Sequence, residues 1–359
     1  MRAIELFCGI GGFRIALDRI GIETVFANDI SDKACEVYKS NFPGKVLVQK
    51  DLRSILSSEI PDHELLTAGF PCQPFSQAGR KQGILCPING TLFEQIVRLL
   101  NDKKPRFFLL ENVQRILSME NGFHFATVLN ELSQLGYVVE WRVLNAASFG
   151  IPQFRQRVFI GGWRDNGDAE FSPRMRASDS LFSSVSRQEM KSISTTKSKF
   201  KLWGMAVDGK FIHRDVGDDV PLDQQKTLNT ILQQPDEVDP IYDYSGRMNE
   251  RIANSTKVNR FHNGVEILFN QKGGARFGYT VFGTKGYAST LTASTSRHYE
   301  RYLVGDKFRR LTNIEYARLM GFPDQWCRSL SKYDQHSVYG NAVVPDCVEW
   351  ALKKITING

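Results

Sequence analysis

As far as Trp163, short apolar runs alternate with stretches of helical spacing. Ala3-Ile4-Glu5-Leu6-Phe7 reads as a buried strand, and Gly11-Gly12-Phe13 opens a helix that runs through Ile20. Thr24-Val25-Phe26-Ala27 and Val46-Leu47-Val48 are the next strands, separated by a helix over residues 32–41. Leu65-Leu66-Thr67-Ala68 and the apolar run at 107–110 follow, with a helix over 92–100 between them. A helix over 125–135 precedes strands at 138–143 and Val158-Phe159-Ile160-Gly161. Continuous apolar runs suit strands buried on both faces, and strand–helix alternation predicts an α/β fold with a mostly parallel, doubly wound sheet.

The pattern changes after Trp163. Residues 166–199 are rich in Ser, Thr, Lys and Asp and read as a linker or a poorly packed excursion. From about 200 to 308 short strands, glycines and turns predict a small, irregular β-rich domain. Helical spacing returns at 314–320 and again at 345–355. The expected division is one domain over 1–185, completed by 325–359, and a second, with its hinge, over 186–324.

Two strand tips carry the candidate chemistry. In Gly69-Phe70-Pro71-Cys72-Gln73-Pro74-Phe75-Ser76 a thiol is presented after an apolar strand. In Phe107-Phe108-Leu109-Leu110-Glu111-Asn112-Val113 an apolar strand ends in a carboxylic acid. Strand ends in open α/β sheets are where ligands bind. A thiol and an acid at neighbouring strand ends suit covalent catalysis with proton donation.

Both segments resemble the Pro-Cys-Gln and Glu-Asn-Val motifs of the cytosine carbon-5 DNA methyltransferases, and other motifs of that family follow in its order. Ile4-Glu5-Leu6-Phe7-Cys8-Gly9-Ile10-Gly11-Gly12-Phe13 resembles the cofactor loop, and Gln153-Phe154-Arg155-Gln156-Arg157 the glutamine-arginine-arginine motif. Arg310-Leu311-Thr312 through Gly321-Phe322-Pro323 resembles the motif after the recognition region, and Tyr339-Gly340-Asn341-Ala342-Val343-Val344-Pro345 the last one. The resemblance implies the S-adenosylmethionine-dependent methyltransferase fold and catalysis by Cys72 as nucleophile and Glu111 as donor to ring nitrogen 3. Arg155 and Arg157, on one side of an extended segment, are expected to bind the base carbonyl, a phosphate or Glu111. One branch resembling the family methylates tRNA, and a chain that only binds cofactor and DNA is a further reading. The basic recognition segment favours DNA, and the intact Cys72, Glu111, Arg155 and Arg157 argue for activity.

The implied cofactor is S-adenosyl-L-methionine, leaving as S-adenosyl-L-homocysteine. The loop at Gly9 and Gly11 permits a tight turn and close backbone approach. The resemblance places Phe7 and Ile30 against the adenine, Asp29 on the ribose, Asp51 and Leu52 at the adenine edge, and Asn341 and Val343 at the methionine end, with Pro71 in the same site. The glycine spacing disfavours NAD or FAD.

Composition narrows the setting. With 42% hydrophobic and 24% charged residues the chain is ordinary for a globular protein. No run is long enough to span a bilayer, and Met1-Arg2-Ala3-Ile4 enters a strand at once, so a cytoplasmic protein is expected. Cys8, Cys35, Cys72, Cys86, Cys327 and Cys347 show no metal-ligand spacing, so neither a metal nor disulfides are expected. The net charge of +7 is localised, because residues 244–310 hold 12 Lys and Arg against 4 Asp and Glu. Such clustering suits contact with a polyanion, here double-stranded DNA, with Lys285 and Arg309 among the candidates. Thr290-Leu291 resembles the element anchoring the recognition region, and Arg297 is a candidate for reading guanine. Gln77 on one side, and Arg276 and Phe277 on the other, are candidates for opening the duplex around a flipped base. Cys86-Pro87-Ile88-Asn89 departs from the aspartate and arginine usual before Gly-Thr-Leu-Phe, which bears on the loop's phosphate contacts. A monomer is expected, paired with a cognate restriction endonuclease that acts on the same site without direct contact.

Overall fold

The computed structural model describes residues 1–71, 91–164, 167, 170–175, 184–194, 199–216, 226–244, 246–270, 280–293 and 300–356. Cys72, Gln77, Cys86, Arg276, Phe277 and Arg297 lie outside them.

The first seven strands are β1 (Arg2–Leu6), β2 (Glu23–Asp29), β3 (Leu47–Gln49), β4 (Leu65–Gly69), β5 (Phe107–Val113), β6 (Tyr137–Asn145) and β7 (Gln156–Arg164). Helices α1 (Gly12–Arg19), α2 (Asp32–Asn41), α3 (Leu92–Lys103) and α4 (Phe123–Gln134) connect them. Strands β3, β2, β1, β4 and β5 lie side by side and parallel. Beyond β5 the sheet is antiparallel, in the order β5, β7, β6. The sheet is therefore doubly wound and mixed in direction.

Strand alternation explains both layers of helices. Ala3, Leu65, Phe107 and Leu109 face one side, packing with Phe13, Ala16 and Leu17 of α1 and with Val348, Leu352 and Ile355 of the last helix. Ile4, Leu6, Leu66, Ala68, Phe108 and Leu110 face the other, against Phe93, Ile96 and Leu99 of α3 and Phe125 and Leu129 of α4. A period of two on buried strands sends successive residues to opposite faces, so these runs are apolar at nearly every position, with buried Glu5 and Thr67 the exceptions.

Residues 166–199 are more than a linker. Strands β8 (Glu170–Phe171) and β9 (Val185–Ser186) pair with each other, and Phe171, Met175, Val185, Met190 and Ile193 are buried. Isolated apolar residues in two-residue strands leave no period to read. Strands β10 (Lys191–Ser192), β11 (Trp203–Val207) and β12 (Lys210–Arg214) extend the large sheet beyond β6 to ten strands. A division at residue 186 would thus cut three strands from the sheet to which they are hydrogen-bonded.

The chain then passes through α5 (Arg247–Ala253) into a second sheet of five strands, β13 (Thr256–His262), β14 (Val265–Asn270), β15 (Thr280–Phe282), β16 (Arg301–Val304) and β17 (Lys307–Arg309). Helices α6 (Asn313–Leu319), α7 (Lys332–Asn341) and α8 (Pro345–Thr356) close the chain, α8 packing beside α1. Among the described residues no helix is long and apolar enough to cross a membrane.

Candidate active site and cofactor cleft

The turn after β1 is built by backbone geometry. Phe7, Gly9 and Gly11 have φ of 53°, 55° and 89°, in the left-handed region where only glycine is unstrained. A Cβ on Gly11 would stand 2.2 Å from the Phe42 ring, and one on Gly12 2.5 Å from the Val343 carbonyl oxygen. A Cβ on Gly9 would meet nothing, so this glycine faces open space. Behind the turn, buried Glu5 accepts from Arg14 N–H at 3.0 Å and from the Tyr38 hydroxyl at 2.8 Å. Burial pushes the Glu5 carboxyl up to about 8, against the opposing pull of those two partners.

The ends of β2 and β3 form the next wall. Asp29 accepts from Gly9 N–H and Ser31 N–H, each at 2.8 Å and on different oxygens. Asn28, buried, donates to the Val48 and Lys50 carbonyls and so fastens the β2 tip to β3. Ile30 is 65% exposed yet lines the cleft, as an apolar wall for a flat ring would.

The acid stands at the next pair of tips. Glu111 pairs in register with Gly69 of β4, and a Cβ on Gly69 would sit 3.6 Å from Glu111 Oε2. Arg157 Nε meets Glu111 Oε1 at 3.1 Å, both side chains being largely covered. Burial raises the Glu111 pKa, and Arg157 and Arg155 oppose that rise. Its neighbour Asn112, assigned no role in the sequence reading, donates to the Phe70 carbonyl at 3.0 Å and holds the start of the Pro71-Cys72 loop. The clue was present: beside Glu111, Asn112 is the other polar residue of β5, and it is only 2% exposed.

The cleft encloses about 550 Å³ and collects Phe7, Gly9, Asp29, Ile30, Asp51, Leu52, Pro71, Glu111, Arg157 and Asn341. Ten expected site residues from seven separate segments therefore meet. Five others go elsewhere, among them Gly11, whose open side is taken by the Phe42 ring. Arg155, expected beside Arg157 at the base, is buried and donates to the Leu291, Gly340 and Ala342 carbonyls at 2.7–3.0 Å. Those three acceptors turn the guanidinium away from the cleft and into a seam. Val343 backs the turn against Gly12 instead of lining the cleft. Leu291, expected on DNA, is fully buried, and Thr290 donates to the Phe154 carbonyl at 2.5 Å. Gln153 completes the seam, accepting from Leu291 N–H and donating to the Leu319 carbonyl. Thr290 and Leu291 thus spend their polar groups inside the protein. Arg309 is likewise no phosphate contact, because it is 4% exposed and forms a double hydrogen bond with fully buried Glu315.

A doubly wound sheet in which antiparallel β7 and β6 follow the parallel strands, with a glycine turn and an acid at successive strand ends, defines the S-adenosylmethionine-dependent methyltransferase fold. A family model for C-5 cytosine-specific DNA methylases matches residues 1–356. The Type II methyltransferase M.NgoBI of Neisseria gonorrhoeae is 32% identical over 355 residues, 99% of this chain and 92% of that protein. The Type II methyltransferase M.HhaI of Haemophilus parahaemolyticus is 30% identical over 358 residues, 99% and 94% of the two chains. The crystal structure of S. pombe Dnmt2 methyltransferase superposes with a TM-score of 0.67 at 20% identity, covering 100% of this chain and 99% of that one, a likeness of fold. The chain belongs to the C-5 cytosine-specific DNA methylases, and it is an S-adenosylmethionine-dependent transferase.

Proposed function

We propose that the chain methylates carbon 5 of a cytosine flipped out of a specific duplex DNA sequence, through a covalent adduct with Cys72. The observation that carries this reading is the Glu111–Arg157 pair at the mouth of β5, in register with the strand that leads through Pro71 to Cys72. A Cys72 thiolate would add to carbon 6, forming the C–S bond and sending the ring's double-bond electrons toward nitrogen 3. Glu111, whose burial favours its protonated form, would supply the proton there, and carbon 5 then becomes an enamine carbon. Arg157 would hold the Glu111 carboxyl in place throughout. Once carbon 5 carries the methyl group, loss of its proton to solvent re-forms the 5,6 double bond and expels the thiolate, and nitrogen 3 returns its proton to Glu111.

The cleft fits S-adenosylmethionine in its donor set. Asp29 spends one hydrogen bond per oxygen on the protein and keeps acceptor capacity for two ribose hydroxyls. Gly9 leaves room for close approach, and Ile30 and Phe7 would flank the adenine. When bound, the cofactor supplies an electrophilic methyl group. The five-stranded sheet is our candidate for the target-recognition unit, with the large sheet, including residues 191–214, as the catalytic unit. A place in a restriction–modification pair is supported by the Type II relatives.

The test is methyl transfer from labelled cofactor to duplex DNA and to tRNA, with wild type and Cys72→Ser. Wild type should label the duplex alone. The serine variant should bind cofactor normally and lose transfer, since an alcohol cannot replace a thiolate. Residual transfer within about tenfold of wild type, roughly 1.4 kcal/mol of barrier, would rule out Cys72 as the nucleophile.

A further inference from the structure

Asp29 and Asp51 occupy equivalent places at the ends of successive strands, yet their acceptor capacity is unequal. Asp51 caps the turn Leu52–Ser54 and is wrapped by the residue two positions on. Its Oδ1 accepts from Arg53 N–H at 2.9 Å and Arg53 Nε at 3.0 Å. Its Oδ2 accepts from Arg53 Nε at 3.1 Å and Arg53 Nη2 at 2.5 Å. A carboxylate offers about four acceptor sites, and three N–H groups of Arg53, the Nε one shared between both oxygens, take up most of them. Both residues line the cleft. An amino group arriving at Asp51 must compete with the Arg53 donors, whereas a hydroxyl arriving at Asp29 meets free acceptor capacity.

We infer that Arg53 is a specificity-determining residue of the adenine subsite, competing with the purine amino group for Asp51. The inference rests on the reading that this cleft takes the adenosyl group of S-adenosylmethionine. Arg53 is 59% exposed on its side chain, so its pair with Asp51 is of the weak, screened kind that a ligand can open. Arg53 also holds the Asp51 carboxyl down at about 2, so the pair stays ionised at working pH and the competition is constant there. Once displaced, the guanidinium remains at the purine edge as a donor. It can then serve a carbonyl at purine carbon 6, which Asp51 alone would repel. Arg53 therefore weakens binding of the amino purine and softens discrimination against its deaminated counterpart.

The experiment is calorimetric binding of S-adenosylhomocysteine and S-inosylhomocysteine to the full chain as wild type, Arg53→Ala, Arg53→Lys and Asp29→Ala. Arg53→Ala should bind the adenosyl compound about fivefold more tightly. It should bind the inosyl compound more weakly than wild type, so that the ratio between the two widens by roughly tenfold or more. Arg53→Lys, a point charge without the planar fork, should fall between. Added salt should narrow the gap between wild type and Arg53→Ala for the adenosyl compound. An unchanged ratio, or weaker adenosyl binding by Arg53→Ala, overturns the inference while leaving the cofactor reading intact if Asp29→Ala loses affinity. If wild type and Asp29→Ala bind the adenosyl compound equally poorly, the cofactor reading itself fails, and this inference with it.

Discussion

Glu5 and Glu111 are both acids at the ends or interior of parallel strands, and their partners give them different work. Glu111 meets Arg157 at the cleft and is 12% exposed, so its carboxyl is reachable from the cleft. Glu5 is sealed behind the glycine turn, joining α1 and α2 to β1 through Arg14 and Tyr38. Its folded pKa of about 8 lies above the value of 4.5 expected in the unfolded chain. Between those values the unfolded chain has released a proton that the folded chain still holds, so stability falls as pH rises from about 4.5 to about 8. The slope from this group is at most about 1.4 kcal/mol per pH unit. Glu5→Gln, shaped like the protonated acid, should flatten that part of the stability profile, measured by urea unfolding at a series of pH values. An unchanged profile would mean that Glu5 is ionised in the fold, held by Arg14. At this scale the sequence was legible wherever a polar residue interrupted an apolar run, as with Glu111. It was illegible for Arg155 and Arg157, two residues apart on one extended segment, because only the neighbours decide which faces the cleft.

The elements meet along a seam between α7, the Leu291 segment and the start of β7. Arg155 donates to carbonyls of two of these and extends from the third. Gly340 brings α7 so close that a Cβ there would lie 2.3–2.5 Å from backbone atoms of Thr292 and Ala293. Gly340→Ala should therefore cost about 1–3 kcal/mol by overpacking and weaken cofactor binding, because Gly340 and Asn341 line the cleft. Gly9→Ala, in open space, should cost only the backbone strain of a positive φ, about 1 kcal/mol. Denaturant melts of the two variants, with and without S-adenosylhomocysteine, distinguish these effects. Equal losses would remove close approach as the reason for Gly340. Helix α7 itself escaped the sequence reading, since its buried residues, Gln335, His336, Tyr339 and Gly340, carry no apolar stripe.

Over the whole molecule, the surplus positive charge divides into surface and interior. Lys257, Arg260 and Lys285 are exposed on or beside the five-stranded sheet, whereas Arg301 and Arg309 are buried. Each phosphate contact contributes about 0.9 to the log–log salt dependence of binding. Replacing Lys257, Arg260 and Lys285 together by Gln should lower that slope by up to about 2.7, measured by DNA binding over a salt series. Arg309→Gln should leave the slope unchanged and destabilise the chain by about 3–5 kcal/mol, because it strands Glu315 in the interior. A slope untouched by the triple replacement would place that face away from DNA.

The sequence by itself determined the doubly wound half of the sheet, the acid-bearing strand tips and the order of the motifs. Strands buried on both faces are apolar at nearly every position, and a glycine turn or an acid at their ends stands out against that pattern. Tertiary structure alone decided that residues 191–214 join the large sheet, that Arg155, Thr290 and Leu291 bind the molecule to itself, and that Arg53 occupies Asp51. Each of these is a choice of hydrogen-bond partner or sheet neighbour among groups far apart in the chain or newly folded back on it. Local composition is the same for either choice, so the pattern along the chain carries no trace of the outcome.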